Sequence, residues 1–562
     1  MGVFLISAID WVVLVIYFVA IAAVGLVASR RIRSTGHYFL GDRRFNKWIM
    51  IGQTFGTGTH AEMPVSLAGA VYSTGISGIW FQWKNLFATP FYWLIAPLFR
   101  RFRRTTTAEV MEDRYGPWMG IIYTVFALVF FTINMGTMLK GAAKVIDQAA
   151  AGAVPVNTVV IVMTVVFIGY SFTGGLVATA WTDFLQGFLI LALSFMLIPL
   201  GWGMVGGIHG MKRVLSPEMF SLATPHGITP WFIAMLTLNG LIGIIAQPHL
   251  IAAVGTGKDE DTCRMGQYYG NMVKRVCTVG WALVGLMTAA ILARGMFGSV
   301  SLRDPEDAFG FACRHLLFPG GIGLLIASIL ATNMAGCSAF MVDCGALFTS
   351  GFYRRYLVRN RDDRHYLMVG RISGAAIALA AVFYSVFFID RVLYSFLLTE
   401  TMATFMGISI YAGLIWERAN RWGALAGMIA AATVNFALYS ARHQRLDAWD
   451  PAVFSVALAA GILATVVVSL LTRPEPAARM QSFFVRINTP SMGPESSLPE
   501  APDTAAAARG GRQLLVTNLL HLRKAAAGFG WKAYRIDIRG FAIGWAIVIG
   551  LVFSAWLLFT CY

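Results

Sequence analysis

Apolar runs close to the length of a bilayer crossing recur from one end of this chain to the other, and that spacing limits the fold more than any other feature. A helix needs roughly 20 apolar residues to cross the hydrocarbon, and in lipid it must satisfy its own backbone polar groups. With 57% apolar and 13% charged residues, the chain reads as an all-α polytopic membrane protein. About fourteen spans are expected, at roughly 8–28, 48–73, 78–99, 118–148, 155–174, 180–206, 228–253, 270–296, 318–348, 366–389, 391–416, 421–441, 452–472 and 540–560. The first run follows Asp10 with no basic leader and no small-residue cleavage site, so it is expected to be a retained helix.

Charge orients the spans. Loops after odd-numbered spans carry RRIR with Arg43, Arg44 and Lys47, then RRFRR with Arg114, then YRRYLVRNRDDR, then WERANR. Loops after even-numbered spans are short or hold only scattered charges such as Lys212, Arg213 and Arg303. The basic set is expected to be cytoplasmic, which puts both termini outside an inner or plasma membrane. The net charge of +16 fits such loops better than a nucleic-acid partner. Six cysteines (Cys263, Cys277, Cys313, Cys337, Cys344 and Cys561) show no CxxC spacing. They read as small core residues, not as a disulfide frame or metal site.

Residues 1–472 are expected to form the membrane core. The long polar stretch 473–539 reads as a cytoplasmic linker followed by a basic segment with apolar residues at helical intervals. That second part lies along an anionic inner surface or is a solvated connector. Residues 540–562 form the last span.

Within the second span, Gly52–Gly69 interrupts the apolar pattern with Gly52, Gly56, Gly58, Pro64, His60 and Glu62. Glycine costs about 1 kcal/mol and proline about 3 in a helix interior. An ionisable group at bilayer depth costs at least roughly 2.5 kcal/mol. Such a break is either a kink whose polar groups are satisfied by neighbouring helices, or a binding site built from free backbone groups.

Gln82 and Lys84 fall inside the third span, where a lysine must find a partner; Glu62 and His60 are the expected ones. Asp183 and Gln186 lie three apart near the start of the sixth span and share a helix face. The ninth span is rich in small residues, with Ala331, Ala335, Gly336 and Ala339 able to serve close packing, while Thr332, Asn333, Ser338 and Asp343 offer oxygen ligands. Glu400 faces a cavity or the interface, and His249 is expected to be an interfacial histidine. No GxSxG, HExxH or GxxxxGK pattern is present, so an enzyme is not expected.

At HYFLGDRRFNKW, SLAGAVYSTGIS, GGLVATAWTDFLQ and LMVGRISG the chain resembles the sodium:solute symporter family, over about residues 8–472. The resemblance implies a leucine-transporter-type five-plus-five inverted repeat, about 48–206 and 228–416, with extra flanking helices. It implies a cation site at Gly56 and Thr59 of the broken helix, completed from the ninth span, with Asp183 near the ion's inner exit. It also implies solute contacts at Gly58, His60, Glu62, Met63 and Gln82, beside Lys84. The family's ninth-span ligands fall on Thr332, Ala335 and Gly336, so its adjacent hydroxyl pair is absent here; Thr332 and Ser338 are the hydroxyls left. The expected activity is secondary active symport of a small polar solute by alternating access. The coupling ion is expected to be sodium, with the proton as alternative through His60, Glu62 and Asp343. No cofactor is expected, and no metal beyond the alkali cation. The rival reading is a membrane solute sensor without net transport.

Overall fold

The computed structural model describes residues 7–29, 45–150, 152, 155–298, 301–445, 449–491, 514–518 and 534–560. The described residues form helices, with isolated bridges such as Phe45 to Gly257 and no strands. Helix α1 (Ala8–Ser29) leads into a broken pair, α2 (Lys47–Thr57) and α3 (Glu62–Thr74). Next come α4 (Trp80–Arg101), the short α5 (Thr107–Tyr115) and α6 (Pro117–Ala149). Helix α7 (Val156–Phe195) and α8 (Leu197–Val205) precede a second broken pair, α9 (Pro230–Gly243) and α10 (Leu250–Gly255). Then follow α11 (Glu260–Ala293), α12 (Ala308–Leu316), α13 (Gly321–Phe348), α14 (Asp363–Phe387) and α15 (Val392–Ile415). The chain closes with α16 (Arg421–Ala441), α17 (Pro451–Leu471), α18 (Ala477–Asn488) and α19 (Arg535–Thr560).

Eight of these helices are long and apolar enough to cross a membrane: α6, α11, α13 with its continuation to Leu357, α14, α15, α16, α17 and α19. Helix α13 is buried along nearly its whole length. By contrast α14, α16, α17 and α19 expose Phe383, Ile429, Leu463 and Ile549. An apolar face open along a helix is costly in water and is what lipid requires. The molecule is a multi-pass membrane protein.

Three expectations are corrected. The span expected at 228–253 is not continuous: Gly243 ends α9, a 3₁₀ turn runs Ile244–Ala246, and Pro248 lies between the halves. Proline cannot donate to a helical ladder, so the break had a visible cause. The spans expected at 155–174 and 180–206 share one helix, Val156–Phe195, because glycines permit a break without forcing one. Part of the stretch read as linker is α18, which buries Phe483 and Ile487; the apolar pair lies at i, i+4. The basic segment at 519–533 lies outside the described residues, as do Arg43 and Arg44.

The loops expected on one side do meet. Arg101 pairs with Glu260 at 2.8 Å, Arg355 with Glu109 at 3.1 Å, and Arg114 donates to the carbonyls of Gly413, Trp416 and Ala419. This is the basic end. At the opposite, acidic end Lys144 meets Asp304 and Glu306, and Glu306 also accepts the Val392 and Leu393 amides at 3.1 and 2.9 Å.

Candidate functional site

Helix α2 stops at Thr57: Gly58 N–H makes the last i→i−4 bond, to Thr54 O, and Thr59 N–H tightens to Gly56 O, both at 3.2 Å. Residues 58–61 then run free of helix, and α3 starts at Glu62 with Pro64 in its first turn, where a missing N–H costs nothing. The break is held from outside. Asn333 on α13 accepts Ala61 N–H at 3.1 Å and donates onward to the Met138 carbonyl on α6. The second break is pinned by Tyr123, whose hydroxyl donates to Ala246 O at 2.7 Å.

Between the two breaks lies a cavity. Gly58, His60, Glu62 and Met63 line it from the first break, and Gln247 and His249 from the second. Helix α11 contributes Gln267, Asn271, Lys274 and Arg275; Asn85 and Tyr92 come from α4 and Glu400 from α15. Several buried polar atoms of the lining are left without partners among the described residues. Among the described residues, neither carboxylate oxygen of Glu62 accepts a hydrogen bond from another residue, and Gln267 Oε1 and Asn85 Oδ1 are likewise buried without partners, as is the donor Arg275 Nε. Unpaired buried acceptors cost about 1–3 kcal/mol each, so their clustering marks a place for a ligand that brings its own donors or positive charge. Lys274 Nζ donates to the Gly58 carbonyl.

The sequence-predicted residues divide. Gly58, His60, Glu62 and Met63 come together in the cavity. Lys84 does not join them: its Nζ pairs with Glu400 Oε2 at 2.6 Å, in full burial, with the Phe396 ring 4.8 Å away. The expected Glu62 or His60 partnership is therefore wrong. The face of α4 that carries Lys84 meets α15, a neighbour that sequence adjacency could not name. Gln82 is buried outside the cavity lining; its carbonyl accepts from Arg275 at 3.1 Å. His249 is not interfacial: it is buried, with its ring 5.1 Å from Phe340 and 6.5 Å from Phe130.

On α13, Thr332 donates to Ser328 O at 2.6 Å and Ser338 to Ala335 O at 2.9 Å, so both hydroxyl protons are used within the helix. Among the described residues, Thr59 Oγ1 is buried without a partner. Beside Gly336 there is no free space, because a Cβ there would overlap the His60 ring and the Met138 methyl. Phe340 packs edge-on to that ring at 5.9 Å. Asp343 is buried further along α13, away from the cavity lining, with Oδ1 unpartnered among the described residues. The side chains of Asp183 and Gln186 lie outside the described residues.

The residues that sequence reasoning missed include Asn85, Tyr92 and Gln247, and above all Gln267, Asn271, Lys274 and Arg275 of α11. With the span placed at 270–296, Lys274 and Arg275 sat near its end, where basic side chains ordinarily reach for the interface. Helix α11 in fact begins at Glu260, so Lys274 lies about 21 Å along it. The signal available was the polar ladder Gln267, Asn271, Lys274 at helical spacing.

The sodium:solute symporter family model matches residues 38–431. The osmoregulated proline transporter OpuE of Bacillus subtilis is 26% identical over 491 residues, covering 84% of this chain and 96% of that protein. The high-affinity proline transporter PutP of the same organism is 27% identical over 497 residues, covering 82% and 98%. Among solved structures, the substrate-bound outward-open state of a Na+-coupled sialic acid symporter is similar, with a TM-score of 0.71 at 17% identity. It covers 83% of this chain and 99% of its own. That last likeness shows a shared fold.

Proposed function

The chain belongs to the sodium:solute symporter family, and on that premise we propose that the cavity between the two broken helices is where its solute binds. The protein is a sodium-coupled solute symporter and not an enzyme. The observation that carries the site reading is the cluster of buried, unpartnered acceptors around Glu62. Such a lining favours a small polar solute that brings N–H donors or a protonated amine, with Glu62 as its anchor. Proline and other amino acids are of this kind, and two similar proteins carry proline in their names.

The two broken pairs, α2–α3 and α9–α10, support a pair of inverted repeats, each opened by a broken helix, inside a scaffold of about fourteen helices. Alternating access would close first one end and then the other around the breaks. The arginine-rich end is taken as cytoplasmic. For sodium, the reading places the Gly56 and Thr59 carbonyls, with the Thr332 and Ser338 oxygens, on the α13 side of the first break, and Asp183 on the way inward. The missing hydroxyls at Ala335 and Gly336 leave this set thin, which favours weak sodium binding.

The test is uptake by purified protein in proteoliposomes, with sodium and proton gradients imposed separately and proline among labelled amino acids and other polar solutes. Uptake driven by sodium is expected. Uptake driven only by protons would overturn the sodium site, and uptake confined to solutes without N–H donors would overturn the role of Glu62.

A further inference from the structure

Helix α11 runs against both halves of the broken helix, and its sequence changes character where the break falls. Gly266 and Gly270 lie one turn apart on the face toward α2. A Cβ at Gly266 would come within 2.7 Å of Met50 Cβ, and one at Gly270 within 2.9 Å of the Ile51 carbonyl. Further along, a Cβ at Gly285 would come within 2.9 Å of Ala68 Cα on α3. Small residues here let backbones touch. The next position of the first series, Lys274, is four residues beyond Gly270 and reaches the point where α2 has ended. There its Nζ donates to the Gly58 carbonyl, at the carboxyl end of the inner half-helix.

The carboxyl end of a half-helix holds a partial negative charge and free carbonyls, the arrangement that unwound helices offer to alkali cations. Glu62, at the start of the other half, adds a carboxylate facing the same cavity. We propose that the Lys274 ammonium is a tethered cation that fills this carbonyl position, so that no sodium binds at Gly58 while the lysine is in place. This goes beyond the solute-site reading and rests on the family's use of sodium.

The position explains why a long basic side chain is tolerated at this depth. An ammonium taken from water costs several kcal/mol unless it is closely compensated, and here a carbonyl, a helix end and a nearby carboxylate share that role. It also separates Lys274 from Lys84, the buried lysine outside the cavity: Lys84 is neutralised by a carboxylate at 2.6 Å, whereas the direct partner of Lys274 is a backbone oxygen of the kind a metal ion would use.

The experiment is equilibrium binding of radioactive sodium to purified full-length protein, without solute, for the unaltered chain and for Lys274→Met. One additional sodium per protein in Lys274→Met, displaced by millimolar methylammonium, is expected. Equal or lower stoichiometry in the variant, on protein that stays monodisperse, overturns the proposal. If Lys274→Met does not fold, Lys274→Ala is read in the same way, since it too leaves the Gly58 carbonyl without the Lys274 donor. A variant that gains sodium when the unaltered chain binds none would uphold the tethered cation while overturning sodium coupling, so the two failures are distinguishable.

Discussion

At the acidic end Lys144 meets two carboxylates, and Glu306 adds the backbone amides of Val392 and Leu393. At the break, among the described residues, Glu62 has no partner from another residue and Lys274 has one carbonyl. Both clusters use one lysine and nearby acids, and both tie several helices together. The first is satisfied and reads as a clasp between α6, α15 and the turn Pro305–Asp307. The second leaves acceptors open, which a folded protein sustains only where a ligand completes them. Partner count, more than charge, tells structure from site.

The Lys84–Glu400 pair belongs with the satisfied kind, and breaking it should give the largest effect. Lys84→Met or Glu400→Gln alone leaves a buried charge unpaired, expected to cost about 3–5 kcal/mol. Thermal unfolding in detergent should show both singles well below the double variant; strictly additive losses would mean the two do not act as a unit.

The two clusters can then be set against each other by the same chemical step. Glu62→Gln should weaken solute uptake about 10- to 100-fold, roughly 1.4–2.8 kcal/mol, with little change in unfolding temperature. Glu306→Gln should do the reverse, lowering thermal stability by about 1.5–3 kcal/mol through weakened charged hydrogen bonds. If both variants behave alike, the contrast between clasp and site is wrong.

A smaller effect is expected at Gly336. Supplying a hydroxyl there with Gly336→Ser puts a Cβ where the His60 ring and Met138 already lie. It should destabilise by about 1–3 kcal/mol, and sodium dependence should not improve. A gain in sodium affinity would show that the ring moves aside and the site is open.

The smallest effect concerns Asp307, on the loop beside the clasp. Burial, and then the neighbouring Asp304, push its carboxyl up to about 6. An acid whose folded pKa is raised favours the folded state below its unfolded value near 4, and that support is lost as pH rises through about 6. Asp307→Asn should therefore raise the unfolding temperature at neutral pH by on the order of 1 °C, and the difference should vanish near pH 4. A difference that persists in acid would assign the effect to something other than ionisation.

Helical class, the membrane, and the break at 56–62 were legible because each follows from local rules: apolar run length, the cost of Gly and Pro in a helix, and the cost of charge in lipid. The second break was equally local, in Gly243 and Pro248, and was passed over because the run around it is so apolar. The partners were another matter. Lys84 could not be matched to Glu400, 316 residues away, nor Asn333 to Ala61, because which helix faces which depends on the packing of the whole bundle. Lys274 was hidden for the same reason: its depth depends on where α11 begins, and its role on what α2 leaves exposed at its end. Composition and spacing by themselves determined that this chain is a helical membrane protein with an interrupted helix at its centre. Only the tertiary structure decided which charges are neutralised and which stay open around the cavity. Neutralising a charge takes a contact a few ångströms long between distant residues, and one chain's local pattern does not specify such contacts.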